Sequence, residues 1–336
     1  MDREKTTMTG MKRSSSFKIA MGVAGLLALA PLLASAQAYP VKPVRILIPF
    51  PPGGPSDYAA RVVGIKLAEF LGQPVVADNR PGAGGLVATE LGARAAPDGY
   101  TLLIANTGTF AVLPHLHAKI PYDAVRDFTP IVNLIAGPAF LLVHPSVPVR
   151  NLRDLIALAK KMPGQITHGS AGIGQSSHLN GELLKQLAGI DFLQIPYKGS
   201  GPIMPELIGG QLMMHFSTSV DNLQFVKSGR VRALAVTGTT RLGVAPDLPT
   251  MAEAGLPGFE SLNWNGVVGP AGLQRDIVLR LNQEMVRVLN LPDVKEKIIA
   301  QGNYVVGDTP EQFAAFMRAE SDKWQRVVRK GNIKLE

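Results

Sequence analysis

No cysteine occurs in the 336 residues, which excludes a disulfide scaffold, thiolate metal sites, iron–sulfur clusters and cysteine nucleophiles. Three enzyme signatures are missing as well. There is no Gly-x-Ser-x-Gly elbow and no Gly-x-x-x-x-Gly-Lys-Ser/Thr phosphate loop. The dinucleotide fingerprint begun by Gly172 and Gly174 fails at Ser177, where its last glycine belongs. Lys and Arg form no run interleaved with aromatics, which argues against a nucleic-acid groove despite the formal charge of +8. Beyond the N-terminal segment, no stretch is long and apolar enough to span a bilayer. With 46% apolar residues, the chain has the length and composition of about two folded domains.

What is present begins with an export signal. Lys12, Arg13 and Lys18 precede an uncharged run over 19–33, followed by the small-residue sites Ala34-Ser35-Ala36 and Ala36-Gln37-Ala38. A membrane anchor needs about 20 apolar residues. This run is shorter and is interrupted by Pro31, so residues 1–36 read as a signal peptide. Its removal takes away five basic and two acidic residues and lowers the net charge from +8 to +5.

In the mature chain, Val44–Ile48 is a β-rich run that empties into Phe50-Pro51-Pro52-Gly53-Gly54-Pro55-Ser56-Asp57. Ala59, Val62, Val63, Leu67, Phe70 and Leu71 then recur at helical spacing up to a stop at Gly72. Strand, glycine turn and helix recur at 75–94, followed by strands at 100–105, 131–136 and 140–144 and a helix at 152–161. A second such unit runs from a strand at 165–168 through a Gly/Ser turn at 169–177 to a helix lined by Leu179, Leu183 and Leu187. Strands at 192–195 and 233–237, a helix at 202–208 and an amphipathic helix with Ile277, Leu281, Val288 and Leu289 follow. A capping box with Pro at N1, Thr309-Pro310-Glu311-Gln312, opens the last helix. The alternation defines an α/β fold.

A Gly/Ser turn that opens a helix leaves the first backbone N–H groups unpaired, at the end where the helix dipole favours negative charge. Such a turn binds an anion without a basic side chain. Glycine keeps a Cβ out of the ligand's way, and the hydroxyls of Ser56, Ser176 and Ser177 serve as donors or caps. Two such turns about 120 residues apart are placed to face each other across a cleft. A single turn of this kind is more often a plain connection.

Six blocks then carry a family resemblance: FPPGGPSDYAAR (50–61), DNRPGAGG (78–85), GSAGIGQSSHLNGELLK (169–185), IPYKGSGPIMPELIGGQ (195–211), GRVRALAVTGTTR (229–241) and LPTMAEAGLPGFE (248–260). Together, and in this order over residues 39–336, they resemble the Bug (TctC-like) solute-binding proteins of tripartite tricarboxylate transporters. The resemblance implies a type II flytrap of two α/β domains, each a mixed sheet flanked by helices, joined by crossing strands. Its parts would be 39–138, 139–263 and 264–336, the last rejoining the first domain. It implies two pincers on one carboxylate, with ordered water completing the contacts. Carried over, these are Phe50, Gly53, Gly54, Ser56 and Asp57, and Ser170, Gly172, Gly174, Ser176, Ser177 and His178. The family's usual Thr before the Asp is Ser56 here, and Gln175 stands where Ser is common.

Other residues carry two readings each. Asp57 caps its helix or positions a ligand donor. Tyr197, Lys198 and Gly199 resemble a cleft-lining segment, although Lys198 is equally a solvated charge. Asp221 resembles the acidic position at the ligand's distal end, or is a turn Asp before a helix. Arg80 is a carboxylate clamp or, as we favour, pairs elsewhere. His115 and His117 lack further ligands for a metal, and Trp264 packs the hinge or walls the pocket.

The expected function is a periplasmic receptor that captures a small organic carboxylate and delivers it to the integral membrane subunits of a tripartite transporter. It would work as a monomer, without cofactor, metal, nucleic acid or catalysis. The alternatives are an extracytoplasmic sensor docking on a signalling protein and, behind it, an α/β enzyme. The moderate positive charge and lack of a second basic cluster favour a mono- or small dicarboxylate over a tricarboxylate.

Overall fold

The computed structural model describes residues 39–117, 119–197, 200–218 and 220–334; the segment 1–36, expected to be a signal peptide, and Lys198 and Gly199 lie outside them. Residues Lys42–Glu336 form one compact unit containing two sheets. The first comprises β1 (Val44–Ile48), β2 (Val75–Asn79), β3 (Thr101–Asn106), β4 (Phe128–Pro138), β10 (Leu262–Pro270) and β11 (Tyr304–Val305), in the order β11-β4-β10-β3-β1-β2. The second holds β5 (Phe140–Val143), β6 (Thr167–Ser170), β7 (Leu193–Pro196), β8 (Met214–Ser217) and β9 (Arg232–Val236), in the order β7-β6-β8-β5-β9. β1 pairs in parallel with β2 and β3, and β6 with β7 and β8. β10 runs antiparallel between β3 and β4, and β5 antiparallel between β8 and β9, so both sheets are mixed. Val44, Ile46, Leu47 and Ile48 of β1 are at most 1% exposed, as a parallel strand inside a layered fold requires, and Arg45 alone of this strand is exposed.

The helices are α1 (Pro55–Leu71), α2 (Leu86–Ala93), α3 (Leu113–Leu116), α4 (Leu152–Lys161), α5 (Ser176–Ala188), α6 (Ile203–Ile208), α7 (Leu223–Lys227), α8 (Arg275–Leu289), α9 (Pro292–Ala300) and α10 (Pro310–Lys330). Gly72 ends α1 in the left-handed region (φ 66°), and Thr309 and Gln312 close the expected capping box of α10. β8, β10, β11, α3, α9 and a π-helical turn at Thr107–Val112 escape the sequence reading. No described helix is long and apolar enough to cross a membrane.

The chain passes between the sheets at Ala139, the one residue separating β4 from β5, and returns through 237–261. Thr237 stitches the two crossings. Its Oγ1 accepts from Ala139 N (2.7 Å) and donates to Ser261 O (2.6 Å), while its backbone bonds to Ala139 O and Ser261 N. Thr237 and Ala139 are fully buried and Ser261 is 2% exposed, so none of these polar groups has water as a substitute. Trp264 packs edge-on against Phe313 and Phe316 of α10, both rings 5.7 Å away. It is therefore core beside the crossing strand and not a pocket wall, with 0% exposure. Its neighbour Gly266 is required by that packing, because a Cβ there would sit 2.3 Å from Phe313 Cζ.

Candidate functional site

Both glycine turns are built to one plan. β1 runs through positions 49–54 into α1, whose N-cap Gly54 has no side-chain cap and whose N1 residue is a proline. The first free N–H groups of this helix therefore belong to Ser56 and Asp57. Asp57, at N3, reaches back four residues to accept Gly53 N–H at 2.9 Å. β6 likewise enters α5, whose N-cap Gln175 has no side-chain cap, leaving the N–H groups of Ser176, Ser177 and His178 at its start. His178, also at N3, presents Nδ1 to Gly174 N–H at a long 3.5 Å, which needs its proton on Nε2. Ser177 Oγ accepts Ala171 N–H at 2.9 Å. The helix's own first-turn side chains thus hold each turn open towards its N-terminus.

Asp57 is consequently not the N-cap that its position before the helical run favours. Its carboxylate also accepts from Arg61 Nε (2.9 Å) and Asn79 Nδ2 (3.0 Å), and Asn79 Nδ2 reaches Phe50 O at 3.0 Å. Burial acts to raise the Asp57 pKa, but the bonds from Arg61, Gly53 and Asn79 outweigh it and hold the carboxyl below its ordinary value. Asp57 stays ionised, with a neighbouring guanidinium to balance it. Ser56 Oγ donates to Asn265 Oδ1 of β10 at 2.6 Å.

Gly53 (φ 89°), Gly172 (φ 126°) and Gly174 (φ 77°) occupy backbone conformations that other residues avoid. A Cβ on Gly174 would also lie 2.3 Å from Leu116 Cδ1 of α3, so that side chain would have to move. Thr109, on the segment that follows β3, and Phe50, on the first turn, both pack at Gly85, where a Cβ would meet Thr109 Cγ2 at 2.6 Å and Phe50 Cζ at 3.6 Å. The same segment thus reaches Gly85 through Thr109 and Gly174 of the second turn through Leu116.

Behind the second turn the polar groups are buried. Burial pushes His168 down to about 3 and His215 to about 4, and lowers His178 in the same sense, so all three are neutral at neutral pH. His168 Nδ1 lies 2.8 Å from Gln194 Oε1, and His215 Nδ1 lies 2.9 Å from Gly169 O. Ser170 Oγ, Thr109 Oγ1 and Asn106 Nδ2 are buried without a protein partner. Sequence reasoning missed Asn106, Thr109 and Asn265. They sit opposite or near one another because β3 and β10 pair Asn106 with Asn265.

The remaining candidates fall in different places. Tyr197 is joined to the second turn by its N–H to Ser170 O (2.8 Å), but its hydroxyl is committed to Glu206. Burial and Glu206 together raise that hydroxyl to about 12. Asp221 is exposed in the short turn Val220–Asn222, whose Val220 packs at Gly302. Arg80 pairs with Asp78 (2.9 Å), as favoured above. His115 Nε2 contacts Ser321 Oγ at 2.8 Å, and among the described residues no group of three or more His, Asp or Glu could hold a metal.

With this geometry in hand, comparison with known proteins is direct. The model of the tripartite tricarboxylate transporter family receptor matches residues 59–333, and the chain belongs to that family. BugT of Bordetella pertussis is 38% identical over 303 residues, 90% of this chain and 93% of BugT. The periplasmic binding protein BugD superposes with a TM-score of 0.74 at 34% identity, covering 89% of this chain and 100% of BugD. Rpa4515 of R. palustris, solved with adipate, gives a TM-score of 0.77 at 32% identity, over 88% of this chain and 99% of that one. MatC from Rhodopseudomonas palustris, with bound malate, gives 0.73 at 33% identity, over 86% and 100%. The chain is a solute-binding receptor of this family and not an enzyme.

Proposed function

We propose that this receptor works in the periplasm and holds one carboxylate group of a small organic acid between the N-termini of α1 and α5. The observation that carries the reading is the shared plan of the two turns, each ending in an uncapped helix start with free N–H groups. The first sheet with its helices forms one lobe and the second sheet with its helices the other, and the lobes close about the Ala139–Thr237–Ser261 stitch. Ser170 Oγ, Thr109 Oγ1 and Asn106 Nδ2 supply hydroxyl and amide groups for ligand oxygens or bridging waters. The adipate and malate bound by two relatives of similar fold support a dicarboxylate as the ligand class. Delivery is to the membrane subunits of a tripartite transporter, the system for which the family is described.

A thermal-shift screen of the exported protein against mono-, di- and tricarboxylates and their amides tests this reading. Free dicarboxylates should raise Tm according to RT ln(1 + [L]/Kd), and the amides should not. Equal shifts with amides would reject the helix-terminus site. Gly54→Val is the sharper variant. Gly54 has an ordinary extended backbone (φ −84°, ψ 173°), and the nearest atom to a new Cβ is Pro51 O at 3.9 Å. Gly172→Val would instead be strained by its φ of 126° whatever the space around it.

A further inference from the structure

A second concave site lies on the first sheet, away from the glycine turns. In the parallel register Arg45 is level with Thr101, and Leu47 with Asp78, so these four side chains share one face. α2 is eight residues long and leaves the part of that face beside edge strand β2 uncovered. The result is a cavity of about 370 Å³ lined by Arg45, Leu47, Arg80, Leu91, Ala95, Ala96 and Thr101.

Its charge is unbalanced. Asp78 is the one carboxylate for two guanidinium groups, 2.9 Å from Arg80 Nε and 3.6 Å from Arg45 Nη1. Among the described residues, the one further side-chain bond of either arginine is Arg45 Nη2 to Thr101 Oγ1, at 3.4 Å. A guanidinium has five N–H donors, so most donors of this pair are unclaimed, and one positive charge is left beside an apolar wall of Leu47, Leu91, Ala95 and Ala96. Leu91 is 48% exposed, an apolar side chain facing open space next to that charge.

We propose that this cavity is an accessory site for an amphiphilic organic monoanion, with the carboxylate on Arg45 and Arg80 and an aliphatic or aryl body against Leu91, Ala95 and Ala96. It differs in chemistry from the site between the turns, which uses backbone N–H groups and no arginine. It is also joined to that site. Arg80 N donates to Ile48 O (2.8 Å), and the adjoining Asn79 holds both Phe50 O and Asp57.

The test is titration of the exported protein with carboxyl-labelled octanoate, read by NMR, with octanamide as the neutral control. Wild type should bind octanoate and not octanamide. Arg45→Gln and Arg80→Gln should each weaken that binding about tenfold, the loss expected for one charge-assisted carboxylate contact, while Gly54→Val leaves it unchanged. Leu91→Glu, at an exposed position that does not burden folding, should abolish it by placing a negative charge in the wall. Octanoate binding that survives in the Arg45→Gln/Arg80→Gln and Leu91→Glu variants would overturn the proposal. So would binding that disappears only in Gly54→Val, which would place octanoate between the turns.

Discussion

Ser56 Oγ donates a 2.6 Å hydrogen bond to Asn265 Oδ1, joining positions 209 residues apart. Both residues are 4% exposed, so the bond is shielded from water. It fixes the start of α1 to β10, the strand on which the chain returns from the second sheet to the first. Ser56→Ala and Asn265→Ala should each destabilise the protein by about 1–2 kcal/mol. Their double-mutant cycle should show a coupling of about 1 kcal/mol by urea denaturation. Additive effects would mean that the bond contributes nothing to the turn.

Asp57 offers a graded test of how the first turn is held. Asp57→Ala removes the acceptor for Gly53, Asn79 and Arg61, and should cost about 2 kcal/mol. The ion-pair share of this is small, because the Arg61 side chain is 48% exposed and solvent-screened. Asp57→Asn keeps one acceptor oxygen and should fall between wild type and Asp57→Ala. An Asn variant as unstable as the Ala variant would show that the charge, and not the acceptor geometry, holds the turn.

Thr237→Val keeps the shape of the side chain at the crossing but leaves Ala139 N–H and Ser261 O without their buried partner. Denaturant unfolding should show a loss of about 2–3 kcal/mol, with ligand affinity changed less than in Gly54→Val. Unchanged stability would remove Thr237 from its stitching role.

Acid should destabilise the fold in a defined window. His168 and His215 stay neutral in the native protein down to about 3 and about 4, whereas in the unfolded chain they take up protons below about 6.5. Their contribution is therefore complete above pH 6.5 and is lost as pH falls towards 4. Asp308 acts in the opposite sense, since burial raises it to about 6 and the native state takes up its proton first. The buried imidazoles, with His178 and His115 lowered in the same sense, outnumber the one raised carboxyl, so unfolding takes up protons near pH 5 and stability falls as pH falls from 6.5 towards 4.5. A flat stability profile between pH 6.5 and 4.5 contradicts the buried neutral histidines.

The two turns were legible because their signals are local. A β-rich run, glycines and a hydrophobic period of 3.6 fall within about 25 residues in each, and the α10 capping box lies within four. What escaped depends on distant partners. Met214–Ser217 becomes a strand through pairing with β5 and β6, and Asn106 meets Asn265 only through the register of β3 and β10. Asp57 looks like a cap because its acceptors' partners, Asn79 and Gly53, are set by the fold of the turn. Arg80 had its partner two residues away in Asp78, yet only the sheet brings Arg45 to the same carboxylate.

The central claim is that backbone N–H groups of two helices hold a carboxylate. Isothermal titration of the exported protein with adipate, then with adipamide, tests it most directly. One high-affinity site for adipate, none for adipamide, and loss of the adipate site in Gly54→Val with its melting transition retained are expected. Adipate bound equally well by Gly54→Val, or adipamide bound as tightly as adipate, would contradict it.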